Sequence, residues 1–310
     1  MKQLAIKFVI FCILLVGIDK SYGLLMDKIF IKTLDYPMGF FNGYGKIAYT
    51  IDEDIVIFGD SKATHGIIPS IIEDSLRMSC INASKDGAGF LVQNYLVNKM
   101  LDRYSPKLII WEWDAISLSN YMYDDEMDRM TDLVPFYGSD SNARDLVNRR
   151  SQYECVKLLS SIYRWNGKAS AFVDILRTRN TEDANKGYAP LKSKHDKVLE
   201  KRVIHFENDL DLSRVESFQN TINRIKEKGI HLIVISSPQF EDTNLEKTIQ
   251  GRKLEQMLSD NNIIYFNHHF DERYLHDERN FFDPDHIDAV VAPEYTKMLA
   301  SEIKKVLSDN

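Results

Sequence analysis

From residue 51 onward the apolar positions fall into two alternating rhythms. Four consecutive β-branched or aromatic residues, 55–58, end at Gly59-Asp60-Ser61 and give way to a stretch, 67–76, with apolar positions at helical spacing. The pair then repeats. Residues 78–82 predict a strand, 84–89 a loop of small and polar residues, 90–104 a helix, and 108–111, just after Pro106, a third strand. Towards the end, 215–228 predict a helix, 230–236 a strand, 245–258 a helix, 263–266 a strand and 293–307 a helix. Such alternation predicts an α/β fold, a parallel sheet covered by helices on both faces, with ligands outside the carboxyl ends of the strands.

Two regions leave this rhythm. Between about 117 and 203, aromatic residues (Tyr121, Tyr123, Phe136, Tyr137, Tyr153, Tyr163, Trp165) sit among charges. A loop of that length without structure of its own is uncommon, so the segment predicts a mostly helical insertion that caps one end of the sheet within a single domain, 26–310. At the start of the chain, residues 8–18 are an unbroken run of eleven apolar positions, preceded by Lys2 and Lys7 and followed by Asp19 and Lys20. As a helix this run rises roughly 16 Å, about half the hydrocarbon thickness of a bilayer. Ser21 and Gly23 are small residues suited to cleavage after Gly23. Residues 1–25 therefore read either as a cleaved signal peptide or as an uncleaved membrane anchor. Both readings export the rest of the chain to the cell envelope, in the periplasm or attached to a membrane. Phe11 before Cys12 does not suit a lipoprotein acylation site.

Charge and composition remove several function classes. The 310 residues carry a net charge of −7 with no basic block, so the footprint of a nucleic-acid binder is missing. Cys12, Cys80 and Cys155 lack the paired spacing of a zinc or redox site, and Cys80 falls in an expected core strand, where a thiol behaves as a small hydrophobe. Four of the eight histidines, His268, His269, His276 and His286, lie close together. In an extended segment His268 and His269 point to opposite sides, so they read as loop histidines rather than metal ligands. No metal and no cofactor is expected.

The candidate chemistry lies where the first and last strands end. Ser61 occupies the turn from strand to helix, beside backbone N–H groups, and a serine needs a base to act as a nucleophile. In Phe281-Phe282-Asp283-Pro284-Asp285-His286 an Asp stands three residues before a His, between the last strand and the last helix. The fold brings both segments to one sheet edge, where His286 would take the Ser61 proton and Asp283 would orient the imidazole.

In these blocks the chain resembles the SGNH, or GDSL-like, hydrolase superfamily. The stretches Asn82-Ala83-Ser84-Lys85-Asp86-Gly87, Arg103-Tyr104-Ser105-Pro106-Lys107-Leu108 and Lys186-Gly187-Tyr188-Ala189-Pro190-Leu191 look like a branch common among exported proteins of Bacteroidetes-type bacteria. So does Ser237-Pro238. The resemblance implies a flavodoxin-like three-layer sandwich, with Ser61 as nucleophile, Asp283 and His286 as acid and base, and the backbone of Ser61 and Gly87 as oxyanion donors. A third block, Gly-x-Asn-Asp, should follow the strand ending near Ile110, but Trp111-Glu112-Trp113-Asp114 stands there. A Trp replaces the oxyanion asparagine, and Asn82 is the candidate replacement donor. Trp111 and Trp113, with Tyr121 to Tyr123, lie near the expected cleft, where rings either stack on sugar faces or fill the core. His65 lies one helical turn after Ser61 and reads as a supporting or substrate-facing residue.

The expected function is an exported serine esterase or O-acyltransferase that acts on an acylated glycan, with acetyl the expected group, or on another small ester. The glycan rests on the resemblance and the export signal. The rival is a degenerate SGNH-fold protein that binds glycan or assists surface polysaccharide assembly without catalysis.

Overall fold

The computed structural model describes residues 1–39, 42–119, 123–178, 185–193, 198–201, 203, 209–241 and 247–308. In chain order the first elements are α1 (Lys2–Lys32), α2 (Gly43–Tyr49), β1 (Ile55–Phe58), α3 (Ser61–Gly66), α4 (Pro69–Leu76), β2 (Cys80–Asn82), α5 (Phe90–Leu101) and β3 (Leu108–Glu112). Next come α6 (Tyr123–Arg129), α7 (Ser141–Asn148), α8 (Glu154–Lys157), α9 (Ser161–Arg164), α10 (Lys168–Thr178), α11 (Leu212–Glu227) and β4 (His231–Ser236). The chain closes with α12 (Ile249–Asp260), β5 (Ile264–Asn267), α13 (Glu272–Leu275), β6 (Phe281–Asp283), β7 (His286–Ile287) and α14 (Ala292–Ser308).

Two compact units result, one of residues 1–50 with 130–182 and the other of 51–129 with 183–310. The insertion is helical up to Thr178, whereas its described residues from 185 to 203 form no helix or strand, and residues 130–182 group with the first fifty residues rather than with the sheet.

The larger unit holds five parallel strands in the order β2-β1-β3-β4-β5. Helices flank this sheet, giving the α/β three-layer architecture expected from the alternation, with the strand order of flavodoxin-like folds. The period-two alternation of strand side chains divides the core. Ile55, Ile57, Leu108, Ile110, Ile233 and Ile235 share one apolar cluster with Tyr295, Leu299 and Ile303 of α14 and with Ile72 of α4. On the other face Phe58 and Trp111 pack together, and Phe90 of α5 and Phe218 of α11 close over Trp111 and Trp113. β6 and β7 form a separate antiparallel hairpin. Its tip is tied down where the Phe240 N–H donates to the Pro284 carbonyl at 2.8 Å.

The elements depart from the expected boundaries in two places. A helix begins at Ser61 itself, six residues before the expected 67–76 stretch, and breaks between Gly66 and Pro69 before α4. The helix expected over 245–258 starts at Ile249, where the Thr248 side chain caps it; residues 242–246 lie outside the described residues.

In the smaller unit α1 is unbroken from Lys2 to Lys32, so the apolar run 8–18 and Gly23 belong to one helix. No helix among the described residues is long and apolar enough to cross a membrane. The first half of α1 exposes its apolar side chains, among them Phe8, Leu14 and Ile18. The second half is packed. Phe30 meets Phe136 and Trp165, and a Cβ on Gly23 would come within 2.5 Å of Ser161. Asp19 accepts from Ser160 Oγ at 2.6 Å and from the backbone N–H groups of Ser161 and Ile162, both at 2.9 Å, so α1 supplies an acidic cap to α9. Asp19→Ala is expected to lower the stability of this unit by about 1 kcal/mol, the usual loss for a removed cap. Urea denaturation followed by Trp165 fluorescence measures it, and an unchanged midpoint would deny the cap a stabilising role.

Candidate active site

The site forms because β1 must stop abruptly. Gly59 turns the chain with φ +157°, and a Cβ there would meet Ala63 Cβ at 2.8 Å and Glu112 Cβ at 2.9 Å. Asp60 then caps α3, its Oδ1 accepting from the Lys62 N–H at 2.8 Å. Ser61 emerges at the first position of the helix. Its hydroxyl lies 2.7 Å from His286 Nε2, and His286 Nδ1 lies 2.7 Å from Asp283 Oδ1. An ionised carboxylate can only accept, so Nδ1 carries the ring proton and Nε2 is left to accept from the Ser61 hydroxyl. Asp283 Oδ1 also accepts from the backbone N–H groups of Asp285 at 2.9 Å and His286 at 3.1 Å. Partial burial raises the Asp283 carboxyl, but the hydrogen bond and charge of His286 outweigh it and hold the group below the usual carboxylate range.

The loop after β2 lies against the turn that carries Ser61. The Lys85 N–H donates to the Gly59 carbonyl at 3.2 Å, and Gln93 Nε2 holds the Ala88 carbonyl at 2.6 Å. Between them Gly87 has φ +66°, and a Cβ there would come within 2.6 Å of the Arg129 guanidinium, so only glycine suits the position. The loop that carries Gly87 is thus fastened, through Lys85, to the turn that carries Ser61.

The structure corrects three expectations. Asn82 is fully buried, with its amide N–H groups donating to the Ala63 and Ile67 carbonyls at 2.8 and 3.0 Å. Both donors are occupied, so Asn82 is no oxyanion donor; it ties α3 to β2. Trp111 and Trp113 are 0% and 1% exposed and sit in the aromatic core, so neither presents a face to a sugar. The indole N–H of Trp111 donates to Gln93 Oε1 at 2.7 Å, which makes it a support of the Gln93–Ala88 anchor. Tyr121 lies outside the described residues, and Tyr123 opens α6.

His65 is brought to the site but is engaged there. Its ring stands edge-on to His286 with centroids 5.3 Å apart, Nδ1 is 2.5 Å from the Ala189 carbonyl and Nε2 is 3.2 Å from Asp86 Oδ1. The clustered histidines each have separate partners: His268 meets Glu302 and Tyr295, His269 meets Glu241 and Gln239, and His276 meets the Glu272 carbonyl. Among the described residues no group of three His, Cys, Asp or Glu side chains is arranged to hold a metal ion. The three cysteines are free thiols, with Cys80 buried in the core.

One feature escaped the sequence reading. The Lys62 side chain is buried beneath Ser61, with Nζ 2.7 Å from Asp60 Oδ2 and 3.0 Å from Asp114 Oδ2. Burial pushes this ammonium down, yet the Asp114 and Asp60 charges outweigh it and hold the group well above its ordinary value. Burial raises Asp114, but the Lys62 charge prevails and holds that carboxyl low. Glu112, on the same side of β3, has the opposite fate. Burial pushes it up, Lys62 only partly offsets this, and the Asp60 and Asp114 charges push it further, so its carboxyl is held well above the usual range. A lone lysine after a Gly-Asp-Ser turn carries no sequence signal of burial; the acidic pair at i and i+2 after an apolar strand is the trace that could have suggested a buried cation.

Comparison with known proteins adds little. No protein-family model and no curated protein matches the chain. Among solved structures it is similar to the psychrotrophic esterase EstA from Pseudoalteromonas sp., inhibited by monoethylphosphonate. The identity is 12%, 82% of this chain and 98% of that chain are covered, and the TM-score is 0.43.

The Glu112 carboxyl generates a stability prediction. A carboxyl raised on folding keeps its proton where the unfolded chain has lost it, so its contribution is complete below an unfolded value of about 4.3 and declines as pH rises. Glu112→Gln copies the protonated shape and keeps an oxygen for the Ser237 N–H, now 3.4 Å from Glu112 Oε1. The urea midpoint of this variant should match the parent at pH 4 and exceed it at pH 8. A midpoint lower than the parent's at pH 8 would mean that the ionised carboxylate is needed.

Proposed function

We propose that this chain is a serine-dependent ester hydrolase or O-acyltransferase. The observation that carries the reading is the continuous line Ser61 Oγ, His286 Nε2, His286 Nδ1, Asp283 Oδ1, with both separations 2.7 Å. In the proposed reaction His286 takes the Ser61 proton while Oγ attacks the acyl carbonyl. The backbone N–H groups of Ser61 and Gly87 stabilise the oxyanion. His286 then protonates the departing alcohol, and the acyl group on Ser61 passes to water or to a sugar hydroxyl. Asp283 keeps the imidazole in the tautomer that this transfer requires.

A non-catalytic reading has one observation in its favour, since neither Trp113 nor Asn82 supplies the third oxyanion donor. Loss of one such donor typically lowers the rate by roughly 100- to 1000-fold, which slows a serine esterase without abolishing it. An acylated glycan as substrate, and export to the cell envelope with attachment through residues 1–25, are part of the proposal. The exposed apolar half of α1 supports the attachment, and the family resemblance supports the glycan.

The test uses the full chain. A serine-directed fluorophosphonate should add one adduct by intact mass, and Ser61→Ala should show neither adduct nor turnover of p-nitrophenyl acetate while melting within a degree or two of the parent. No adduct on folded parent protein would turn the reading to the non-catalytic one. Asp283→Asn should retain only about one part in 10⁴ of kcat, because its amide no longer enforces the tautomer; parent-level kcat would remove Asp283 from the mechanism.

A further inference from the structure

Two residues of the six-residue helix α3 act on the neighbouring loop rather than on Ser61. Thr64 Oγ1 lies 2.9 Å from Ser84 Oγ, and His65 Nε2 lies 3.2 Å from Asp86 Oδ1, so α3 grips the loop on both sides of Lys85, just before Gly87. His65 also reaches the other way. Its Nδ1 is 2.5 Å from the Ala189 carbonyl, and the Ala189 N–H donates to the Thr64 carbonyl at 3.0 Å. Segment 185–193 is thereby fastened to α3. The same segment reaches β2 where the Asn82 N–H meets the Lys186 carbonyl at 2.9 Å, and it reaches the loop after β7 where the Ala289 N–H meets the Leu191 carbonyl at 2.7 Å.

The partners of His65 decide its protonation. A backbone carbonyl has no hydrogen to give, and an ionised carboxylate has none either. Both ring nitrogens face acceptors, so both bonds form together only if both nitrogens carry hydrogen, which is the imidazolium. The neutral ring must abandon one of them. The charged and titratable groups around the ring are Asp86 on the loop after β2, and Asp283 and His286 on the β6–β7 hairpin. Their sum favours the cation: burial lowers His65, but the Asp86 hydrogen bond, the Ala189 carbonyl and the charges of Asp86 and Asp283 raise it above its ordinary value. Asp86 answers in kind, its carboxyl held low first of all by the bond to His65.

We propose that His65 is a positioning residue that works as a fixed imidazolium, latching the Gly87 loop and segment 185–193 to the nucleophile's helix. Resting on the esterase reading, the latch keeps the Gly87 N–H in place for the oxyanion while His65 is charged. Removal of the proton as pH rises releases either Asp86 or Ala189, and the loop loses its fixed approach to Ser61. The base of the reaction, His286, is a separate group with its own partners.

Two readouts on the full chain test this. In ¹H–¹⁵N spectra of Ser61→Ala, the His65 ring should show both N–H groups at pH 7, and the Gly87 amide shift should follow the His65 titration; in Ser61→Ala/His65→Gln the Gly87 shift should be flat with pH. The kinetic readout is the pH profile of kcat for p-nitrophenyl acetate, with the Ser61→Ala background subtracted. The parent should lose activity at the alkaline end as His65 deprotonates. His65→Gln should lack that alkaline decline and show kcat about 10- to 100-fold lower at pH 7, less than the roughly 100- to 1000-fold loss of a whole oxyanion donor because the Gly87 N–H is displaced rather than removed. Asp86→Asn, a surface change that keeps shape and removes charge, should move the decline to lower pH. A neutral His65 ring at pH 7, a Gly87 amide indifferent to the His65 titration, or an alkaline limb identical in parent and His65→Gln would each overturn the proposal. A charged His65 and a responsive Gly87 amide in a chain without turnover would sink the esterase reading and leave the latch standing.

Discussion

The position of Ser61 depends on an ammonium group with nowhere else to go. Lys62 follows Ser61 directly, and its side chain is buried rather than extended into water. A charge in that position is tolerable only with close opposite charges, and removing one partner of such a set commonly costs about 3–5 kcal/mol. Asp60 and Asp114 provide those charges, so the residue before Ser61 and the residue two beyond the end of β3 converge on one atom. The turn at Gly59 is held from below, and Ser61 has little choice of direction. One cation cannot serve three carboxyls, so burial and the charges of Asp60 and Asp114 hold the Glu112 carboxyl well above the usual range beside the pair.

The same economy runs through α3. Within six residues Asp60 caps, Ser61 faces His286, Lys62 anchors, Ala63 packs under Gly59, and Thr64 and His65 hold the next loop. Helical geometry permits this division, because positions 61 and 65 share one face and 62 lies about 100° away from 61. A serine at the first position and a histidine one turn later therefore look towards the same hairpin, and the ring of His65 comes to rest against that of His286.

The parallel sheet was legible because its strands are short apolar runs separated by helical spacing. The meeting of Ser61, Asp283 and His286 was legible because parallel strands end at one edge. The errors have equally plain causes. Trp111 lies in β3 and Trp113 just past its end; their place at the end of the third strand suggested a cleft, but Phe90 of α5 and Phe218 of α11 close over them, a packing that sequence spacing does not show. Asn82 carries the donors an oxyanion needs, but nothing in the sequence shows that the Ala63 and Ile67 carbonyls take them first. The acceptors of His65 are similarly hidden, since Ala189 contributes through its backbone from a point 124 residues away.

The β6–β7 hairpin has a mechanical consequence. Asp283 and His286 face each other across a turn of only Pro284 and Asp285, so the oriented imidazole is a preassembled part that travels as a body. A displacement of the hairpin would leave the Asp283–His286 bond intact while it opened the gap between His286 and Ser61 and strained the Phe240–Pro284 bond at the tip. A shift of about 1 Å in such a gap is enough to suppress reaction. The hairpin therefore resembles one electrical contact more than a set of independent switches: a change that lifted it would part Ser61 from an imidazole still oriented by Asp283.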